Sequence, residues 1–110
     1  MSDLVNKRCT PCTAQTPKLT AEQVEVHLKR LPGWELGSDG KSLVRRFQFK
    51  NYYETMAFVN AVAWVAHRED HHPDLEVSYS RCSVRYNTHA IGGLSENDVI
   101  CAAKVSALIE

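Results

Sequence analysis

Residues 51–89, NYYETMAFVNAVAWVAHREDHHPDLEVSYSRCSVRYNTH, decide the fold, because a helical pattern gives way within them to a two-residue alternation. Asn51 followed three positions later by Glu54 is a helix-opening pair, and Met56, Val59, Val62, Ala63 and Ala66 recur along one face. The spacing predicts a helix over about 52–69, nearly apolar throughout and therefore covered on most sides. Pro73 disfavours helical geometry at His72, so this helix should end near His71. Beyond it Leu75, Val77 and Tyr79 alternate with polar residues, Ser80-Arg81 turns the chain, and Val84 and Tyr86 resume the alternation, which reads as a β-hairpin.

Upstream, Trp34-Glu35-Leu36 and Leu43 to Phe49 flank the turn cluster Gly37-Ser38-Asp39-Gly40 and form an earlier hairpin. Two further helices bracket the hairpins. One runs from about Ala21 to Leu31, opened by Thr20 with Gln23, carrying Val24, Leu28 and Leu31 on one stripe and stopping at Pro32-Gly33. The other runs from about Glu96 to Ile109, opened by Ser95 with Asp98, and buries Val99, Ala102, Ala103, Val105 or Ser106, and Ile109. The order α-β-β-α-β-β-α predicts a two-layer α+β domain, a four-stranded antiparallel sheet with three helices on one face. Its open edges and bare sheet face favour self-association. Residues 1–18 lack periodicity and read as a flexible arm, leaving 19–110 as the folded domain.

Thirteen Lys and Arg balance thirteen Asp and Glu among 110 residues. A neutral chain lacks the basic excess that nucleic acid demands. The longest apolar run, Met56 to Ala66, is broken by Asn60 and too short for a membrane span. The polar opening residues show no secretory signal, so the expectation is a cytoplasmic protein. In that reducing setting Cys82 and Cys101 read as small core residues, while Cys9-x-x-Cys12 sits in the polar arm as a weak redox or metal signal.

The chemistry should lie with histidine, since four of the five fall between positions 67 and 89. His71 and His72 sit on a helix-to-strand junction, and hairpin pairing brings residues near 72–75 opposite residues near 86–89. His71, His72 and His89 therefore converge. Three readings compete: solvated junction residues, a metal site and acid–base catalysis. His67 and His71 have the i, i+4 spacing of metal ligands, but Glu69 does not directly follow the first His, as a zinc-protease motif requires. His67-Arg68-Glu69 resembles half a deaminase signature, without the downstream Cys pair. Neighbouring imidazoles titrating near neutrality instead supply one acid and one base, which suits elimination of water. No Ser or Cys nucleophile is placed beside the cluster by sequence, and Gly92-Gly93 lacks the spacing of a phosphate loop.

The pattern His67-x3-His71-His72-Pro73-x5-Tyr79-x9-His89-x8-Asp98, with Leu31-Pro32-Gly33-Trp34 upstream, resembles the signature of the pterin-4a-carbinolamine dehydratases over about Leu19 to Ile109. The resemblance implies the same α+β fold and the dehydration of 4a-hydroxytetrahydropterin to quinonoid dihydropterin, with no metal and no organic cofactor. It implies His71 and His89 as the acid–base pair, with His72 binding and orienting the pterin. Asp98 would complete the site by hydrogen bonding as well as capping its helix, and Trp34 would either line the pocket or anchor the core. Tyr79 reads as core, His67 as a supporting residue and His27 as a partly exposed structural one. The resemblance further implies a homodimer or homotetramer and a link to an aromatic amino-acid hydroxylase. Its alternative is a protein-interaction module, since some relatives act as dimerisation partners of a transcription factor. Such a role would rest on the exposed half of the helix over 52–69.

Overall fold

The computed structural model describes residues 3–109. A short 3₁₀ turn, Asp3–Asn6, precedes helix α1, Ala21–Leu28. Strands β1, Glu35–Leu36, and β2, Leu43–Gln48, follow, then α2, Tyr52–Glu69. Strands β3, Asp74–Val77, and β4, Arg81–Tyr86, lead through the 3₁₀ turn His89–Ile91 to α3, Glu96–Ala107. The strands form one antiparallel sheet in the order β1-β2-β4-β3.

Alternation decides which face the helices cover. Leu43 and Phe47 from β2 and Cys82, Val84 and Tyr86 from β4 are buried beneath the helices, with Trp34, Phe58, Val62 and Ile100 in the same core. The opposite face carries Arg46, Asp74, Glu76, Ser83 and Arg85, which line a shallow polar groove with Val44. Cys82 and Cys101 are fully buried free thiols, and burial raises the Cys82 thiol above its ordinary pKa.

Several expectations change. The buried stripe of α2 is Thr55, Phe58, Val62 and Glu69, while Ala63 is exposed and Met56, Val59 and Ala66 are half-buried. A helix apolar on nearly every side gives periodicity little to choose from, and the true stripe includes two polar residues that find partners. Thr55 Oγ1 lies within hydrogen-bonding distance of the carbonyls of Asn51 and Tyr79. The second hairpin closes earlier than its alternation suggests, because Ser78 N–H donates to Arg81 O and Arg81 is already the first residue of β4. Tyr79 therefore sits at the tip, 66% exposed, and is not core. Finally α3 ends at Ala107, so Ile109 lies beyond the helix and is exposed.

Helix α2 stops where Asp70 turns left-handed, φ 51° and ψ 43°, with the N–H groups of Asp70 and His71 both donating to Ala66 O. Asp70 is the only non-glycine with positive φ among the described residues. The stop thus comes just ahead of the position that Pro73 would enforce.

The segment expected to be a flexible arm lies along the domain. Leu4 is buried in the core, and Lys104 Nζ donates to Val5 O at 2.9 Å. Cys9 N–H donates to Glu69 Oε1 at 2.9 Å, and that carboxylate also faces Arg8 Nε at 3.2 Å and Lys104 Nζ at 3.6 Å. Burial alone would raise the Glu69 pKa. The Cys9 bond and the two cations outweigh it, so the carboxyl titrates below its ordinary 4.5. A folded pKa below the unfolded one means that this stabilisation is fully present above the unfolded pKa and is lost as pH falls through the folded one. Glu69→Gln should cost about 1–3 kcal/mol at pH 7. In thermal melts the gap between wild type and variant should narrow as pH drops below 4.5. A gap independent of pH would refute this role.

Candidate active site

The end of α2, the exit of β4 and the first turn of α3 meet at one end of the sheet. Residue register explains the meeting, since Asp74 pairs with Arg85 and the residues preceding β3 consequently lie beside those following β4. There a pocket of about 300 Å³ is lined by His71, His72 and His89, together with Asn87, Thr88 and the N-terminal segment at Cys12. Its volume sits at the lower end of the roughly 300–1,000 Å³ typical of small-molecule sites.

The three imidazoles differ in setting. His71 is nearly buried, with 10% of its side chain exposed, and its ring stacks on Tyr86 at 5.7 Å and 10°. Its Nε2 lies 2.6 Å from Oδ1 of Asp98. An ionised carboxylate only accepts hydrogen bonds, so Nε2 carries the proton and Nδ1 is the nitrogen left to exchange one. His72 and His89 are exposed on the pocket wall. His89 opens a 3₁₀ turn closed by Gly92, whose φ of +60° favours glycine, and Thr88 N–H donates to Gly93 O to fix the turn's base.

Asp98 is fully buried and takes part in three hydrogen bonds. Besides His71 it accepts Thr88 Oγ1–H at 2.7 Å and Ser95 N–H at 2.9 Å, both on Oδ2. Its place in the first turn of α3 puts a negative charge at the favourable end of the helix dipole. Among the described residues its only ion-pair partner is His71. It stands behind His71, outside the pocket wall, so it positions that imidazole and does not itself touch what enters the pocket.

The remaining candidates lie elsewhere. Trp34 is 5% exposed in the core, and its Nε1–H donates to Ser106 Oγ at 2.8 Å. It does not line the histidine pocket, so the lining role does not hold and the core-anchor role does. His67 is exposed on α2, its ring 5.2 Å from that of Trp64. His27 lies half-buried in α1, where burial and then Arg30 lower its pKa. Thr88 and Tyr86 were not singled out by their chemistry, although both fall on the inward-facing register of β4 and its exit, where a polar Thr88 needs a partner. Pro11 and Asn97 carry no signal in the sequence, and Cys12 carries only that of a weak Cys-x-x-Cys pair. Among the described residues no group of three or more His, Cys, Asp or Glu side chains is placed to hold a metal, and no helix is long and apolar enough to cross a membrane.

The sequence model for pterin 4 alpha carbinolamine dehydratase matches residues 17–108. The chain belongs to the pterin-4-alpha-carbinolamine dehydratase family. A protein of Nitrosospira multiformis, provisionally named pterin-4-alpha-carbinolamine dehydratase, is 54% identical over 110 residues, covering 100% of this chain and 96% of its own. Among solved structures, a Brucella melitensis protein described as a transcriptional coactivator/pterin dehydratase superposes with a TM-score of 0.82 at 30% identity, over 86% of this chain and 100% of its own. A pterin dehydratase-like protein described as a RuBisCO assembly factor in the alpha-carboxysome gives 0.61 at 26% identity, over 69% of this chain and 88% of its own. The dehydratase family match covers the whole sheet and every residue of the histidine pocket except Pro11 and Cys12.

Proposed function

We propose that the protein dehydrates 4a-hydroxytetrahydropterin to quinonoid dihydropterin, using His71 and His89 as its acid–base pair. The observation that carries this reading is the placing of three imidazoles on one pocket wall, one of them fixed from behind by Asp98. One imidazole gives a proton to the 4a-hydroxyl as the C4a–O bond breaks and water leaves. The other takes the N5 proton as the C4a–N5 double bond forms. One proton is given and one taken, so the pair needs no net exchange with solvent. His72 holds the ring in place by hydrogen bonding. The reaction consumes the carbinolamine left by a pterin-dependent aromatic hydroxylation, and so implies a hydroxylase upstream in tetrahydrobiopterin recycling.

The test follows dehydration of a synthetic 4a-hydroxytetrahydropterin by absorbance. The wild type should exceed the buffer rate, and a chelator should leave that rate unchanged. A wild type no faster than buffer, or one silenced by chelator, would overturn the reading. A second reading, an interaction module, is supported by the outward face of α2, where Tyr53 is 80% and Trp64 61% exposed. It is compatible with catalysis. A homodimer or homotetramer closing over that face should dissociate in Trp64→Glu, as read by light scattering, without loss of dehydration by the protomer.

A further inference from the structure

The N-terminal segment offers more than packing. Pro11 and Cys12 line the same pocket as the three histidines. They are held there from the helix that leads into His71 and from the helix that carries its partner Asp98. At the end of α2, Glu69 accepts the Cys9 N–H, two positions before His71. On α3, Asn97 is 4% exposed and its carboxamide clamps Thr10 twice, accepting Thr10 N–H at 3.1 Å and donating to Thr10 O at 2.7 Å. The same amide lies 3.0 Å from Cys12 Sγ. Asn97 and Asp98 are thus neighbours with matching tasks, one fixing the strap over residues 9–12 and the other fixing an imidazole. One helical turn on, Cys101 Sγ lies 3.5 Å from Cys9 Sγ, so the strap is seated along the helix as well as hydrogen-bonded to it.

We infer that residues 9–12 form a wall of the substrate site, with Pro11 and Cys12 against the bound pterin and Asn97 as the positioning residue that keeps them there. The inference rests on the dehydratase reading and adds a second group of residues that set affinity. A proline ring and a thiol make a small, uncharged surface. That surface suits the face of a neutral bicyclic heterocycle, whereas a charged wall would have to be desolvated against it. The proton transfers proposed above use His71 and His89 and neither Pro11 nor Cys12, so the contribution of these two residues falls on binding.

Two measurements test this. Iodoacetamide labelling of Cys12, followed by peptide mass spectrometry on the wild type, should slow severalfold in the presence of 7,8-dihydrobiopterin, a pterin without the 4a-hydroxyl. In Asn97→Ala, KM for the 4a-hydroxytetrahydropterin should rise about tenfold with kcat within about twofold of wild type, since the interaction lost acts on binding alone. Labelling that proceeds equally fast with and without the dihydropterin overturns the wall. This arm needs no variant and so survives any folding defect in Asn97→Ala. A KM unchanged in a folded Asn97→Ala removes Asn97 from its positioning role and overturns the inference as stated. A wild type that does not accelerate dehydration at all is a different failure, that of the dehydratase reading itself.

Discussion

His89→Ala should lose about 10²- to 10⁴-fold of the dehydration rate, the range ascribed to a general acid or base and equivalent to about 2.7–5.5 kcal/mol of barrier. It should melt at the wild-type temperature. The separation follows from exposure, because His89 stands on the pocket wall at the start of a 3₁₀ turn, and no backbone bond of that turn needs its imidazole. His71→Ala should lose rate by a similar factor but also lose stability, since it leaves the buried Asp98 carboxylate with an unfilled acceptor and removes a ring stacked on Tyr86. A His89→Ala enzyme within about threefold of wild type would remove that residue from the proton transfers. The pair of variants, compared by rate and by melting temperature, therefore distinguishes a chemical role from a structural one.

Asp98→Asn should have the other large effect, at a residue that never meets substrate. An amide presents either a donor or an acceptor to His71 Nε2, and its NH₂ can displace the proton from Nε2 to Nδ1. The nitrogen facing the reaction is then in the wrong state, and the rate should fall by roughly 10²-fold or more. Stability should fall as well, by about 1–3 kcal/mol, because Thr88 Oγ1–H and Ser95 N–H both lean on the same carboxylate. The decisive measurement is the double variant. If Asp98 acts only through His71, the rate of His71→Ala with Asp98→Asn should match that of His71→Ala alone, not the product of the two losses. Multiplicative losses would show that Asp98 has an independent part in the reaction.

Most of the fold could be read from local signals. Asn51 and the Asp70–Pro73 stretch bracket α2 so closely that its limits, Tyr52 and Glu69, follow from the sequence. The second hairpin is legible as a hairpin, although a turn at Ser80-Arg81 would set Asp74 opposite Asn87 and it pairs instead with Arg85; His72 is carried toward His89 in either register. What could not be read has a common cause, because it depends on partners distant in the chain. Trp34 after Pro32-Gly33 fits a pocket or a core equally well until Ser106, 72 positions away, accepts its indole N–H. The Thr10 clamp is made from a backbone group in a stretch without periodicity, and only Asn97 gives that stretch a reason to lie still. Tyr79 followed the alternation faithfully, but the hairpin turned one step sooner.

The contact between Lys104 and Val5 spans 99 positions, and the Thr10–Asn97 clamp spans 87. This long closure has a consequence for synthesis. The residues around Val5 and Thr10 are made well before the helix that receives them, so on the ribosome they wait for nearly the whole domain to emerge. Sheet pairing and the packing of α2 can proceed in the meantime, since their partners lie closer in the chain. The pocket's N-terminal wall therefore cannot close onto α3 until residues 97–104 have been made.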